Sequence, residues 1–226
     1  MSNGTKVKKR DGRVEPLELD KIHVMVEEAC EGLAGVSASQ VEINSGIQFY
    51  DGITTQEIQE ILIKSANDLI DLDHPNYQFV AARLLLFAVR KSLYGRRKTI
   101  PSLNVHIQNC TGIHVYDFGI YDKYNLEEIE KVESFLDHDR DFLFTYAGLR
   151  QVVDKYLVQD RSTGKVYETP QFMYMMIALT IFAEYPKETR LNYVRRYYDA
   201  ISKHRINIPT PIMAGVRTPI RQFASC

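Results

Sequence analysis

Lys8-Lys9-Arg10-Asp11-Gly12 sets three consecutive cations beside an Asp-Gly turn signal, and Lys21 follows after a short apolar alternation. Such a group can bind a polyanion: a lysine ammonium is a mobile point charge, whereas an arginine guanidinium takes two oxygens at once. Thr54-Thr55-Gln56-Glu57 adds a helix start, where unpaired amides carry partial positive charge and Thr55 can set a hydroxyl beside a bound phosphate. Lys91, near the end of a later helical pattern, is a further cation of the same kind. Each has a plainer reading: basic residues beside a turn form a solvated surface, threonines cap, and cations in a last helical turn answer the helix dipole. A different chemistry stands at Ser225-Cys226, where a thiol can supply a proton and, as thiolate, close a disulfide.

The elements that must position these groups are mostly helical. Residues 8–21 read as strand, tight turn, strand and helix, which points Lys9, Arg10 and Lys21 at one spot, with Asp20 as the capping residue. The first helix follows with Ile22, Met25, Val26, Ala29 and Leu33 on one face, closed by Gly32 and Gly35. A second helix is expected over 39–50 with Val41, Ile43, Ile47 and Phe49 apolar, and a third opens with a Thr54/Glu57 capping box. The fourth has Pro75 in its first turn and buries Tyr77, Val80, Ala81, Leu84, Leu85, Phe87 and Ala88. Gly95-Arg96-Arg97-Lys98 followed by Pro101 marks a domain boundary.

Beyond it the pattern predicts helices over 126–136, capped by Asn125, and over 146–154. A hairpin is expected between 156–158 and 165–167, then helices over 170–182 and 189–204. The helix from Pro170 is apolar nearly all round, which implies burial in a larger assembly. Ile208-Pro209-Thr210-Pro211 is expected to be extended by its prolines, and residues 222–226 read as the beginning of a strand.

Composition excludes several classes. With 28 basic and 29 acidic residues in 226, the net charge of -1 gives no global attraction to nucleic acid or an anionic membrane. Three well-separated cysteines, Cys30, Cys110 and Cys226, argue against a disulfide scaffold and a zinc ribbon, and no histidine pair has metal-ligand spacing. No apolar run reaches membrane-spanning length and no signal peptide is visible, so a cytoplasmic protein is expected.

Val7-Lys8-Lys9-Arg10-Asp11-Gly12, Leu19-Asp20-Lys21-Ile22, Asp51-Gly52-Ile53-Thr54-Thr55, Tyr77-Gln78-Phe79-Val80-Ala81-Ala82-Arg83-Leu84 and Arg90-Lys91 together resemble the ATP cone of ribonucleotide reductases. His138-Asp139-Arg140-Asp141, Tyr167-Glu168-Thr169-Pro170-Gln171 and the run from Pro209 to Pro219 resemble the N-terminal third of the class I large (alpha) subunit. The resemblance implies a mainly α fold. A four-helix ATP cone with a small β cap spans 1–95, a helical N-terminal reductase domain spans 96–220, and 221–226 begin the first strand of an incomplete barrel.

The resemblance also implies roles. Lys9, Arg10, Lys21, Thr55 and Lys91 match positions that hold the phosphates of ATP or dATP, with Mg2+. Glu15, Pro16, Leu17, Glu18, Leu19, Asp20 and Lys21 match the segment that packs on adenine and ribose. Gln59 stands where related cones often carry a histidine; it keeps a hydrogen-bonding amide but cannot become cationic. Thr210 and Ser225 match substrate contacts, and Cys226 matches the first redox-active cysteine, the catalytic thiol that reduces the ribose 2' carbon of a ribonucleoside diphosphate.

The implied partners are the remaining C-terminal part of the large subunit, a small (beta) subunit carrying a di-iron tyrosyl radical, and thioredoxin or glutaredoxin as reductant, in an oligomer without nucleic acid or membrane. The chain is expected to be a split or truncated subunit, inactive alone. Two other classes fit less of the sequence: a free-standing nucleotide sensor in which a cone is joined to a zinc ribbon, and a helical assembly subunit without a nucleotide site.

Overall fold

The computed structural model describes residues 4–46 and 48–220. Ile47, Ser225, Cys226 and the expected first barrel strand at 221–226 lie outside the described residues. The chain divides into two compact units, one of residues 1–88 with 144–150 and one of residues 89–143 with 151–226.

The first unit opens with strands β1 (Lys6–Lys8) and β2 (Val14–Pro16), antiparallel with Val7 opposite Glu15. Gly12 turns the chain between them at φ 87°, a conformation that costs a glycine nothing and a β-branched residue a great deal. Helix α1 (Leu19–Cys30) follows, with Ile22, Val26 and Ala29 buried on one stripe. Its N-cap is Glu18 and no side chain caps it, so Asp20 does not cap but lies in the first turn, where its charge still suits the helix dipole. Leu33 falls beyond the end of α1.

Helix α2 (Ala38–Gly46) is shorter than the periodicity predicts. Of its apolar face Val41 is buried, but Ile43 is 69% exposed. A two-residue strand, β3 (Ile53–Thr54), then joins β1 in parallel and completes a sheet of order β2-β1-β3. Helix α3 (Thr55–Asp68) begins with the expected capping box: Thr54 Oγ1 accepts from the Glu57 amide at 3.1 Å, and the Glu57 carboxylate accepts from the Thr54 amide at 2.8 Å. Helix α4 (Tyr77–Tyr94) starts after Pro75, which lies in the preceding turn. Tyr77, Val80, Ala81 and Leu84 are buried along it, and the Tyr77 hydroxyl donates to Gln40 at 2.5 Å, tying α4 to α2.

The second unit contains helices that periodicity did not reveal: α5 (Leu103–Gly112), α6 (Ile120–Lys123) and a 3-10 helix, His138–Leu143. Helix α7 (Leu126–Glu133) carries the expected Asn125 cap but stops short of 136. The predicted helix over 146–154 is instead α8 (Tyr146–Gln151), whose residues up to 150 are counted with the first unit, running into a π-helical turn, Val152–Tyr156. Strands β4 (Gln159–Asp160) and β5 (Lys165–Val166) pair antiparallel, displaced from the expected 156–158.

Helix α9 (Pro170–Ile181) is buried from Pro170 to Leu179 by this chain itself, against α10 (Lys187–Ser202), the 3-10 helix and α11 (Thr210–Gly215). The expected larger assembly is not needed to cover it. Thr210 is likewise not in an extended segment: it is the first residue of α11, because Pro209 at the cap and Pro211 in the first turn both tolerate helical φ.

Polar groups are buried in this unit as connected networks, with Arg90 Nε and His138 Nδ1 left without a partner among the described residues. Arg90 Nη2 donates to Asp141 at 2.9 Å and to the His138 carbonyl at 2.9 Å; Gln171 bonds the other Asp141 oxygen at 3.0 Å and accepts from Tyr198 at 2.7 Å. Burial pushes Asp141 up to about 6 against the pull of Arg90 and Gln171. Among the described residues no helix is long and apolar enough to cross a membrane.

Candidate nucleotide site

The three-stranded sheet brings the basic turn to the start of α3. Because β1 and β3 run parallel with Lys8 paired to Thr54, the next residues along each chain, Lys9 and Thr55, leave the ladder side by side. The Lys6 amide donates to Asp51 at 2.7 Å and the Gly52 amide to the Lys6 carbonyl at 2.9 Å, which fixes this register at its other end. Thr54 alone forms the cap, so the hydroxyl of Thr55 is not part of it.

The cations are held by carboxylates. Lys9 Nζ lies 3.3 Å from Glu15, Arg13 bonds Glu15 at 3.0 Å and Asp11 at 2.8 Å, and Lys21 bonds Glu18 at 2.7 Å. The bond from Lys21, with smaller help from the charge of Lys9, holds Glu18 below the usual carboxylate range, and Glu18 and Glu15 in turn raise Lys21. Lys9, Glu15, Glu18 and Lys21 therefore share one electrostatic neighbourhood. Arg10 is exposed in the turn; Pro16 is exposed and Leu17 half-buried after β2, with the Leu17 amide on the Thr5 carbonyl at 2.9 Å. A triphosphate here would exchange surface ion pairs, each weak in water, for its own oxygens.

Four predicted residues stand apart from this neighbourhood. Leu19 and Asp20 line a cleft of about 400 Å³ with Ile22, His23, Ile43 and Phe49, but no lysine or arginine lines it, so the cleft is not where the cations converge. Gln59, one turn into α3, is 6% exposed and aims its amide nitrogen into the bundle, 3.1 Å from the Leu84 carbonyl and 3.6 Å from Met25 Sδ. Lys91 is exposed in the last turn of α4, beyond the limit of the first unit. The strand that sequence reasoning missed, β3, is only two residues long; the signal for it was the β-branched pair Ile53-Thr54 after the Asp51-Gly52 turn.

In the second unit Thr210 Oγ1 lies 3.4 Å from the Tyr156 hydroxyl, and Gln151 Nε2 donates to that hydroxyl at 3.3 Å. Beneath them Arg217, 1% exposed, donates through Nε and Nη2 to the carboxylate of Glu168, which also accepts from Tyr116 and from the Val158 amide. Burial opposes the Arg217 charge, and Glu168 outweighs it, raising the guanidinium above its ordinary value. Since the Tyr116 hydrogen goes to Glu168, His106 Nε2, 3.0 Å away, carries the proton of a neutral ring, which burial holds down to about 4. Among the described residues no group of three or more His, Cys, Asp or Glu could hold a metal ion.

Comparison with known proteins matches residues 5–92 to the ATP cone domain and residues 142–221 to the ribonucleotide reductase all-alpha domain. The chain is 50% identical over 226 residues to the ribonucleoside-diphosphate reductase 1 subunit alpha of Escherichia coli, covering 100% of this chain and 30% of that protein. It is 50% identical over 226 residues to the corresponding subunit of Haemophilus influenzae, again 100% of this chain and 30% of that one. To the subunit alpha of Enterobacteria phage T4 it is 43% identical over 220 residues, 96% of this chain and 28% of the relative. The chain thus spans about 30% of the length of these curated relatives. With matches to the ATP cone domain and the ribonucleotide reductase all-alpha domain, it is homologous along its whole length to the N-terminal portion of the ribonucleotide reductase alpha subunit.

Proposed function

We propose that this chain supplies the effector-binding and N-terminal helical portion of a ribonucleoside-diphosphate reductase alpha subunit. The cone binds ATP or dATP, its Mg2+ carried on the phosphates. Lys9, Arg10, Lys21, Thr55 and Lys91 hold the phosphates, and the segment from Glu15 to Asp20 packs on adenine and ribose. The observation that supports this reading is the parallel pairing of β1 with β3, which sets Lys9 beside Thr55 at the start of α3. Gln59 turns its amide to Leu84, so its contribution is to the shape of the bundle under the site.

The remainder of the alpha subunit, a radical-generating beta subunit and a thioredoxin or glutaredoxin complete the enzyme. There Thr210 and Ser225 contact the ribonucleoside diphosphate, and Cys226 joins a second cysteine in a disulfide as the 2' carbon is reduced.

Thermal unfolding with and without ATP tests the cone. Nucleotide at 100 times its dissociation constant adds about 2.7 kcal/mol of stability, and Lys9→Ala or Lys91→Ala diminishes the gain. A melting point unmoved by saturating ATP or dATP would refute the nucleotide reading.

A further inference from the structure

The π-helical turn Val152–Tyr156 and the short helix α11 meet at one buried cation. Arg217 Nη2 donates to the Tyr156 carbonyl at 2.9 Å and Nη1 to the Met213 carbonyl at 2.5 Å. The same guanidinium is fixed by Glu168, and the Arg217 carbonyl accepts from the Asp117 amide at 3.0 Å. Neither Tyr156 nor Met213 contributes its side chain to this clamp, so both side chains at the Tyr156–Thr210 contact remain available while the backbones beneath them are locked. A π-turn is a costly irregularity that recurs where a side chain must be aimed, and here it presents the Tyr156 ring to α11.

The donors fall in one order. Gln151 Nε2 has a hydrogen to give and donates it to the Tyr156 oxygen at 3.3 Å. Either hydroxyl can be the donor in the 3.4 Å contact with Thr210 Oγ1, and the hydrogen already given by Gln151 favours the phenol in that role. With its oxygen accepting from Tyr156, the exposed Thr210 hydroxyl is left with its own hydrogen, facing outward as a donor. Both contacts are longer than an optimal hydroxyl hydrogen bond, so it is the Arg217 clamp that keeps the three groups in line.

We infer that Tyr156, with Gln151 behind it, is a positioning residue that orients Thr210 as a hydrogen-bond donor to an anionic oxygen of the substrate, a diphosphate oxygen of the ribonucleoside diphosphate. This rests on the reading of Thr210 as a substrate contact.

The test is steady-state kinetics of the reductase assembled from this chain, the remainder of its alpha subunit and its beta subunit, with CDP as substrate. Tyr156→Phe removes the hydroxyl and leaves the clamp, so the melting point stays unchanged while KM rises about threefold to tenfold, the range of one neutral hydrogen bond, with kcat within about twofold. Thr210→Val raises KM at least as much, Thr210→Ser preserves it, and adding Tyr156→Phe to Thr210→Val has no further effect. If Thr210→Val raises KM but Tyr156→Phe does not, or if the two add independently, the positioning role is overturned while the substrate contact stands. If Thr210→Val itself leaves KM unchanged, the substrate contact fails and the inference falls with it.

Discussion

Replacing Glu168 by Gln should unseat the second unit. The Glu168 carboxylate is fully buried and accepts from four donors: the Tyr116 hydroxyl, the Val158 amide, and Nε and Nη2 of Arg217. A glutamine offers one accepting oxygen and turns an NH2 toward hydrogens that already point inward, so at least one donor loses its partner. It also leaves the Arg217 charge in the core without a counter-charge. Breaking a buried pair from one side costs about 3–5 kcal/mol, whereas replacing both partners by apolar groups of similar size is often close to neutral. Glu168→Gln should therefore destabilise by about 3–5 kcal/mol, and Arg217→Met by a similar amount. The double variant Glu168→Gln/Arg217→Met should lose clearly less than the sum of the two single losses. Because two units need not unfold together, the loss is best read by hydrogen exchange at the amides of Leu157 and Val158 in a urea series, where Leu157 is bonded to the Val152 carbonyl at 2.9 Å. Additive losses in the double variant, or a silent Glu168→Gln, would refute the claim that one buried charge pair holds the π-turn and α11 together.

Two further outcomes follow from the geometry. Thr54→Ala removes the acceptor for the Glu57 amide and should cost about 1 kcal/mol in chemical denaturation, with Thr54→Ser close to wild type. The neutral, buried His106 makes the second unit acid-sensitive: its folded value of about 4 lies below the ordinary 6.5, so between those values the unfolded chain binds a proton that the folded chain refuses. Stability should fall by about 3 kcal/mol from this ring as pH drops from 6.5 to 4, and His106→Phe should flatten that part of a denaturation profile measured across the range.

Where local chemistry decides structure, the sequence was legible. The Thr54 and Asn125 caps, the Asp11-Gly12 turn and the stripe Ile22, Val26, Ala29 each follow from side chains acting within a turn or two of chain. Elements settled by distant partners were not. β3 exists because β1 offers it a ladder, and α11 packs on α9, about thirty or more residues away in sequence. Ile43 shows the reverse error: an apolar residue at helical spacing lies on the open side of α2, since periodicity records which residues can be buried and not which face has a neighbour. Of the candidate site, residue types were readable, but the ion pairs that occupy Lys9 and Lys21, and the inward turn of Gln59, depend on packing that no spacing encodes.

The cap sheet also governs when the basic loop is in place. Its strands are three, three and two residues long, and β1 reaches across the chain from Val7 to Ile53 to complete it. Val7 and Ile53 are its buried apolar anchors. So small an apolar contact, closed over so long a loop, gives the sheet a low free energy of local opening compared with the helices under it, and makes it late to assemble when the chain folds. A ligand that requires Lys9 and Thr55 together binds only the closed form, and its apparent affinity is reduced by the fraction of time the sheet stands open. In the proposed site, the strength of effector binding is thus set in part by the strand pair behind it, and substitutions at Val7 or Ile53 would alter it without touching the ligand.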